Sequence, residues 1–339
     1  MLNKKICLIH AGGTIGMTRS ERGYAPKSGY LKERLEAIAD LYVNGMPKFD
    51  LHEMSPLLDS SNMSVNEWNR IGRTIADFYD KYDGFVILHG TDTMAYTASS
   101  LSFMLENLNK PVVITGSQIP LCEIRSDGRD NLITSMIIAA MGEIREVCLY
   151  FGGRLLRGNR ATKMSADGLM AFDSPNFPRL AEAGINIKYS PATPKVKCEG
   201  EFNFVPFSEV PIGVLKVFPG INFSLFDAVM TEKLKGVVLE TFGAGNIPGD
   251  GNALLPIIRA AFAAGAVITV CSQCPVGTVS LGAYAASSEL LEAGAVSGFD
   301  MTTEAAVAKL YYLFSKGYSN DRIKTMMETD IAGELTRVM

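Results

Sequence analysis

The chain has 339 residues, 47% of them hydrophobic, and 32 lysines and arginines against 36 aspartates and glutamates, for a formal net charge of −4. That length suffices for two α/β domains with sizeable cores, and the charge balance leaves no basic footprint for nucleic acid. No segment approaches the ~18 continuous apolar residues of a membrane span, so membrane and nucleic acid are both excluded as partners.

Met1-Leu2-Asn3-Lys4-Lys5 imitates the start of a signal peptide, but the apolar run behind it, Ile6-Cys7-Leu8-Ile9, is short and flows straight into a glycine turn. It reads as a first buried strand, and the protein as cytoplasmic. The turn is His10-Ala11-Gly12-Gly13-Thr14-Ile15-Gly16, in which Gly12 and Gly13 open backbone conformations closed to other residues and Thr14 projects beyond a strand's carboxyl end, where open α/β sheets bind ligands. Its hydroxyl is a candidate nucleophile. Tyr24, beside Pro26 in a glycine-containing segment, reads by itself as a loop anchor.

A short strand is expected at 50–54, then a polar loop with Asp59, Ser60 and Ser61, then a helix over about 65–81 that Ser64-Val65-Asn66-Glu67 opens as a capping box. Asp83 to Leu88 is another buried strand, and it empties into His89-Gly90-Thr91-Asp92-Thr93. Two threonines thus leave two strands, although Thr-Asp-Thr also suits a helix N-cap. Met94, Ala95, Ala98, Leu101, Met104, Leu105 and Leu108 have helical spacing up to Lys110-Pro111. Strand 111–115 leads into Gly116-Ser117-Gln118, and a helix near 129–142, a strand at 146–151 and a glycine- and arginine-rich loop at 152–160 lead to Lys163, which alone reads as one more solvated cation.

The rhythm breaks over 190–211, which gains proline and charge and is expected to link an α/β domain over 1–189 to a smaller one over 212–339. In the second domain 214–218, 236–239 and 266–270 read as parallel strands, with helices at about 251–264, 303–316 and 320–328. The six cysteines, Cys7, Cys122, Cys148, Cys198, Cys271 and Cys274, are scattered, unlike a disulfide scaffold, which fits a reducing compartment. Cys271-Ser272-Gln273-Cys274 has the spacing of a redox or zinc half-site, but no second pair follows. His10, His52 and His89 are not paired at metal spacing, so neither a metal nor a cofactor is expected.

Gly-Gly-Thr-Ile-Gly at 12–16, Gly-Tyr at 23–24, Asp-Ser-Ser at 59–61, His-Gly-Thr-Asp-Thr at 89–93, Thr-Gly-Ser-Gln at 115–118, Ser-Asp-Gly at 126–128, Arg-Gly-Asn-Arg at 157–160, Lys163 and Gly-Ala-Gly-Asn at 243–246 together resemble the bacterial L-asparaginases, and within them the cytosolic type I branch. The resemblance covers essentially the whole chain. It implies a larger flavodoxin-like amino-terminal domain, a smaller Rossmann-like carboxy-terminal domain, and a homodimer or homotetramer. It also implies hydrolysis of L-asparagine to L-aspartate and ammonia through a threonine acyl-enzyme.

An amide carbonyl is a poor electrophile, so its hydrolysis benefits from a positioned nucleophile, a base and donors for the oxyanion. The resemblance makes Thr14 the nucleophile, assisted by Tyr24, and gathers Thr91, Asp92 and Lys163 into a second catalytic group that polarises the substrate and activates water. Asp92 would take the α-amino cation, and Ser60 and Ser61 the α-carboxylate beside a helix N-terminus, with Asp59 and Ser117 also lining the substrate site. Secreted relatives usually carry glutamine in place of Ser61, which implies a preference here for asparagine over glutamine.

Some cytosolic relatives bind asparagine at a second, activating site. Its matching positions are Glu240, Asn246, Ser272 and Cys274, with Glu240 standing where those relatives carry arginine. Two other readings compete. A nucleotide-binding Rossmann protein would also place a glycine loop after its first strand, but Gly12-Gly13-Thr14-Ile15-Gly16 is neither the dinucleotide fingerprint nor a P-loop. The asparaginase-like subunit of a tRNA-dependent amidotransferase would need a partner and RNA, and activity of the isolated chain on free asparagine separates it from the first reading.

Overall fold

The computed structural model describes residues 3–21, 23–191, 200–248, 254–283 and 285–336. Residues 192–199 of the expected linker, Cys198 among them, and residues 251–253 of the expected helix 251–264 lie outside the described residues. The chain divides into two compact units, Met1–Pro206 and Phe207–Met339.

In the first unit the order is β1 (Lys5–Gly12), β2 (Met17–Ser20), β3 (Gly23–Pro26), α1 (Tyr30–Glu36), β4 (Lys48–Leu58), α2 (Val65–Phe78), β5 (Gly84–Leu88), α3 (Met94–Met104), β6 (Leu105–Glu106), β7 (Val112–Thr115), α4 (Gly128–Met141), β8 (Val147–Phe151), β9 (Arg154–Arg157), β10 (Thr162–Lys163), β11 (Phe172–Asp173), β12 (Ala181–Ala183), β13 (Ile187–Tyr189) and β14 (Asn203–Phe204). The eight-stranded sheet runs β13-β12-β9-β8-β7-β5-β1-β4. Its strands from β4 to β8 are parallel, and β9, β12 and β13 close one side antiparallel. Counted among the five parallel strands alone, the order is 2-1-3-4-5, the flavodoxin-like arrangement, whose switch point lies between β1 and β5. The strands are short apolar runs because both faces are covered: β5 and β8 are buried at every position. On one face Ile6, Leu8, Val86, Leu88 and Val113 pack with Leu132, Met136 and Ala139 of α4, each of the side chains larger than alanine contributing about 1.5–3 kcal/mol on burial. On the other, α3 packs on β8 and α2 on α3.

Ser64 caps α2 as expected, but not through the reciprocal box: its hydroxyl accepts from Asn66 N and donates to the Glu67 carboxylate, whereas a capping box would have it accept from Glu67 N. Other elements depart from expectation. The strand expected at 50–54 extends over 48–58. The helical pattern at 94–108 yields a helix only to Met104, because Leu105 and Glu106 turn into a bridge with Phe204 and Asn203 and Asn107 adopts a positive φ of 55°. The hairpin β2–β3 and helix α1 had no periodic signal to announce them, being too short to show one.

The second unit contains β15 (Ile212–Lys216), β16 (Gly236–Thr241), α5 (Leu254–Ala263), β17 (Val267–Ser272), α6 (Ala285–Glu292), β18 (Val296–Ser297), α7 (Thr303–Ser315) and α8 (Asn320–Met327). Its four-stranded sheet, β15-β16-β17-β18, is parallel throughout, around a core of Val237, Leu239, Ile258, Ile268, Val270 and Leu290. The strand expected at 214–218 starts two residues earlier.

The segment after α8 is fastened by a fully buried ion pair, Lys309 Nζ to Glu334 Oε1 at 2.5 Å. Lys309 also donates to the carbonyls of Met327 and Thr329, and Glu334 accepts from the amides of Ile331 and Ala332. Removing one partner of such a pair leaves an uncompensated buried charge. Lys309→Met should therefore destabilise this unit by about 3–5 kcal/mol, and a urea-unfolding midpoint within error of the parent would contradict it.

Candidate active site

The carboxyl ends of the adjacent strands β4, β1, β5 and β7 each release a loop carrying hydroxyls: Ser60 and Ser61 after β4, Thr14 after β1, Thr91 after β5 and Ser117 after β7. Two glycines let these loops touch. Gly13, at φ 86°, has its missing Cβ position 2.2 Å from the Gly90 nitrogen, and a Cβ on Gly90 would fall 2.4 Å from Ser60 Oγ. Any side chain at either point would force the loops apart. Gly13 N–H also donates to the Leu58 carbonyl at 3.0 Å, tying the Thr14 turn to the end of β4.

Thr14 opens a short 3-10 turn to Gly16 and is half-buried; no described residue hydrogen-bonds its hydroxyl. Thr91 is buried, and its Oγ1 accepts from Lys163 Nζ at 2.9 Å while donating to Gln118 Oε1 at 3.0 Å. The same ammonium donates to Asp92 Oδ1 at 2.7 Å, with Lys163 mostly covered and the Asp92 side chain 65% exposed. Lys163 reaches them from β10, which pairs with β11. Gln118 is itself fixed, its amide nitrogen donating to the carbonyls of Ala166 and Gly168, and its backbone N–H to Asp127.

Ser60 is buried and its carbonyl accepts from Thr93 Oγ1 at 2.8 Å, while Ser61 and Asp59 are exposed and Asp59 caps the turn by accepting from Ser61 N. Ser117 is fully buried and its hydroxyl has no hydrogen-bond partner among the described residues. The expected residues Thr14, Ser60, Thr91, Asp92, Lys163 and Ser117 thus converge. Tyr24 hydrogen-bonds none of them, although its strand β3 packs against the Thr14 turn. It lies on the β2–β3 hairpin, 44% exposed, with its hydroxyl donating to Glu123 Oε1 at 2.7 Å. Arg19, opposite it on the hairpin, donates to both oxygens of the same carboxylate. The Tyr24 hydroxyl and the Arg19 guanidinium hold the Glu123 carboxyl below the usual carboxylate range.

His10 and His89 flank the site without facing it as bases. His10 is buried under the Thr14 turn, against Gly16, and burial outweighs Glu53 in pushing its pKa down. His89 is fully enclosed and pushed down to about 4 by burial. Gln118, Glu123 and Arg19 were not assigned from sequence. Gln118 adjoins Ser117 in a quoted motif, whereas nothing local links Glu123 to a tyrosine 99 positions away.

The expected effector residues lie in the second unit. Ser272 donates to the Gly243 carbonyl and accepts from Cys274 N, and Asn246 bridges Phe242 through its backbone. Glu240 turns to α7, where Thr303 donates to its Oε1 at 2.6 Å, with Lys216 4.0 Å from the other oxygen. Cys271 is buried and its thiol is raised to about 12, chiefly by burial, while Cys274 is exposed. Among the described residues no group of three or more histidine, cysteine, aspartate or glutamate side chains could hold a metal, and no helix is long and apolar enough to cross a membrane.

Residues 5–195 match the family model described as Asparaginase, N-terminal, and residues 211–327 that described as Glutaminase/Asparaginase C-terminal domain. The chain is 47% identical over 336 residues to L-asparaginase 1 of Escherichia coli strain K12, covering 99% of each. The crystal structure of L-asparaginase I from Vibrio cholerae matches with a TM-score of 0.91 at 46% identity, over 99% of this chain and all of that one. The thermostable L-asparaginase from Thermococcus kodakarensis matches with a TM-score of 0.90 at 34% identity, over 98% of this chain and all of that one. With both family models matched, at these identities over nearly the full length, the chain belongs to the asparaginase family.

Proposed function

We propose that the chain hydrolyses the side-chain amide of L-asparagine, giving L-aspartate and ammonia. The observation that carries the reading is the bridge Lys163 makes between Thr91 and Asp92, next to the loop on which the Thr14 hydroxyl stands open. In this mechanism Thr14 Oγ1 attacks the amide carbon, the C–N bond breaks, and ammonia leaves with the proton from the hydroxyl. The resulting ester is attacked by water, whose proton returns to Thr14 as aspartate departs.

Tyr24 assists the first deprotonation and must exchange its bond to Glu123 to do so. Thr91 lies between a cation and an amide oxygen, an environment suited to handling a proton at the reacting centre. A trans peptide points its C=O and N–H in opposite directions, and no described residue accepts from the Thr91 N–H, which supports its use as a donor to the developing oxyanion. Asp92 receives the substrate ammonium, Ser60 and Ser61 its carboxylate, and Asp59 and Ser117 line the same pocket. The enzyme works as a homodimer or homotetramer in the cytoplasm, where its free thiols stay reduced.

Ammonia release by the purified chain tests the reading. Asparagine is expected to be turned over with a much higher kcat/KM than glutamine. No release from either amide would sink the proposed function, and comparable values would sink the preference.

A second expectation concerns activation. The carboxylate of an effector at the Glu240 pocket would meet another carboxylate, already engaged by Thr303, where arginine would offer two charge-assisted bonds. The rate is therefore expected to rise nearly hyperbolically with asparagine concentration. A steeply sigmoidal curve, lost on changing Asn246 or Cys274, would show that the pocket activates despite Glu240.

A further inference from the structure

Trp68, the chain's single tryptophan, lies on α2 with its ring buried, and its indole N–H donates to Thr97 Oγ1 on α3 at 3.0 Å. Thr97 Oγ1 lies 2.9 Å from His89 Nε2, and His89 Nδ1 lies 2.7 Å from the Gly90 carbonyl oxygen. An indole N–H can only donate and a carbonyl can only accept. With the imidazole neutral near pH 7, the proton on His89 is fixed at Nδ1, Nε2 accepts, and the Thr97 hydroxyl must donate to it. Every bond in the file therefore runs one way, from α2 to the peptide that carries Thr91.

These are costly groups to place here. Thr97 is completely buried and His89 is 1% exposed, and a buried hydroxyl or imidazole without partners would carry the full penalty of its lost hydration. Apolar side chains of similar shape would fill the layer between α2 and α3 without that demand. What the polar file adds is an orientation: it ends on the one carbonyl whose direction sets the Gly90–Thr91 peptide plane.

From this geometry we infer that Trp68, Thr97 and His89 are positioning residues for Thr91, holding the Gly90–Thr91 peptide so that the Thr91 hydroxyl and amide face the reacting group. The inference rests on the role given to Thr91 in asparagine hydrolysis. None of the three touches the substrate, and all act through the Gly90 carbonyl.

The test compares Thr97→Val and Thr97→Ser with the parent enzyme on asparagine. Thr97→Val should lower kcat about 10- to 100-fold with KM changed by less than about threefold, because misplacement of a reacting group costs chemistry more than binding. Its tryptophan emission should shift to shorter wavelength as the indole loses its partner. Thr97→Ser keeps the hydroxyl and should stay within about threefold of the parent kcat.

A Thr97→Val enzyme with parental kcat, unchanged emission, or a Thr97→Ser enzyme as impaired as Thr97→Val would overturn the inference. Should Thr97→Val not fold, His89→Asn, which keeps a donor at the δ position, should exceed His89→Leu in kcat at least about tenfold, and equal values would overturn it. A parent enzyme inactive on asparagine would instead remove the functional reading on which the inference stands.

Discussion

Thr14→Ala should abolish turnover of asparagine, with a loss of at least about 10³-fold in kcat. It should leave the melting temperature close to that of the parent. Both halves follow from where the residue sits. Its hydroxyl is bonded to no described residue, so removing it breaks no structural contact, and the turn is set by Gly13 and by the bond from Gly13 N–H to Leu58 rather than by the threonine side chain. The acyl-enzyme, by contrast, needs that one oxygen. The discriminating measurement is rapid-quench detection of a covalent aspartyl adduct: it should form on the parent and be missing from Thr14→Ala. A folded Thr14→Ala enzyme with substantial turnover would move the nucleophile elsewhere.

Lys163→Met should cost about 10²–10⁴-fold in kcat, the range that a positioned proton-transfer group supplies. The lysine donates to Thr91 and Asp92 at 2.9 and 2.7 Å, so its loss leaves the Thr91 oxygen with only its outgoing bond to Gln118 and Asp92 with no cation beside it. Thr91→Val should be impaired to a similar degree. Because both changes break the same unit, the double variant should be little worse than either alone. Additive losses would mean that Lys163 and Thr91 serve separate steps. A Lys163→Met enzyme with only a raised KM would assign the lysine to substrate binding.

Much of the site was legible because its residues lie where buried strands end, and buried parallel strands are continuous apolar runs that announce themselves. Ile6–Ile9 and Gly84–Leu88 point straight at Thr14 and Thr91, and the glycines beside them mark a close approach. Lys163 was not legible on physical grounds. It belongs to a two-residue strand paired with Phe172–Asp173, too short for any periodicity, and only the family resemblance singled it out. The Tyr24–Glu123 contact is between residues 99 apart, which no local pattern encodes. Strand β4 was underestimated because Pro56 and the polar residues His52, Glu53 and Ser55 interrupt its alternation, though the strand continues to Leu58 along the sheet edge. The cap at Ser64 was readable because it is set by residues two and three positions apart, although its bonds are not those of the reciprocal box.

The seam where Gly13 meets Gly90 also bears on how this enzyme can change. A methyl group at either position would collide with backbone or with Ser60, so neither lineage drift nor laboratory selection can tune the pocket there. Saturation mutagenesis should find Gly13 and Gly90 intolerant, together with Gly12 and Gly116, whose missing Cβ positions fall 2.0 Å from the Leu58 carbonyl oxygen and 2.2 Å from that of His89. New amide substrates are then to be sought through the stretch around Met164 and Met170, whose side chains are exposed and carry no such veto.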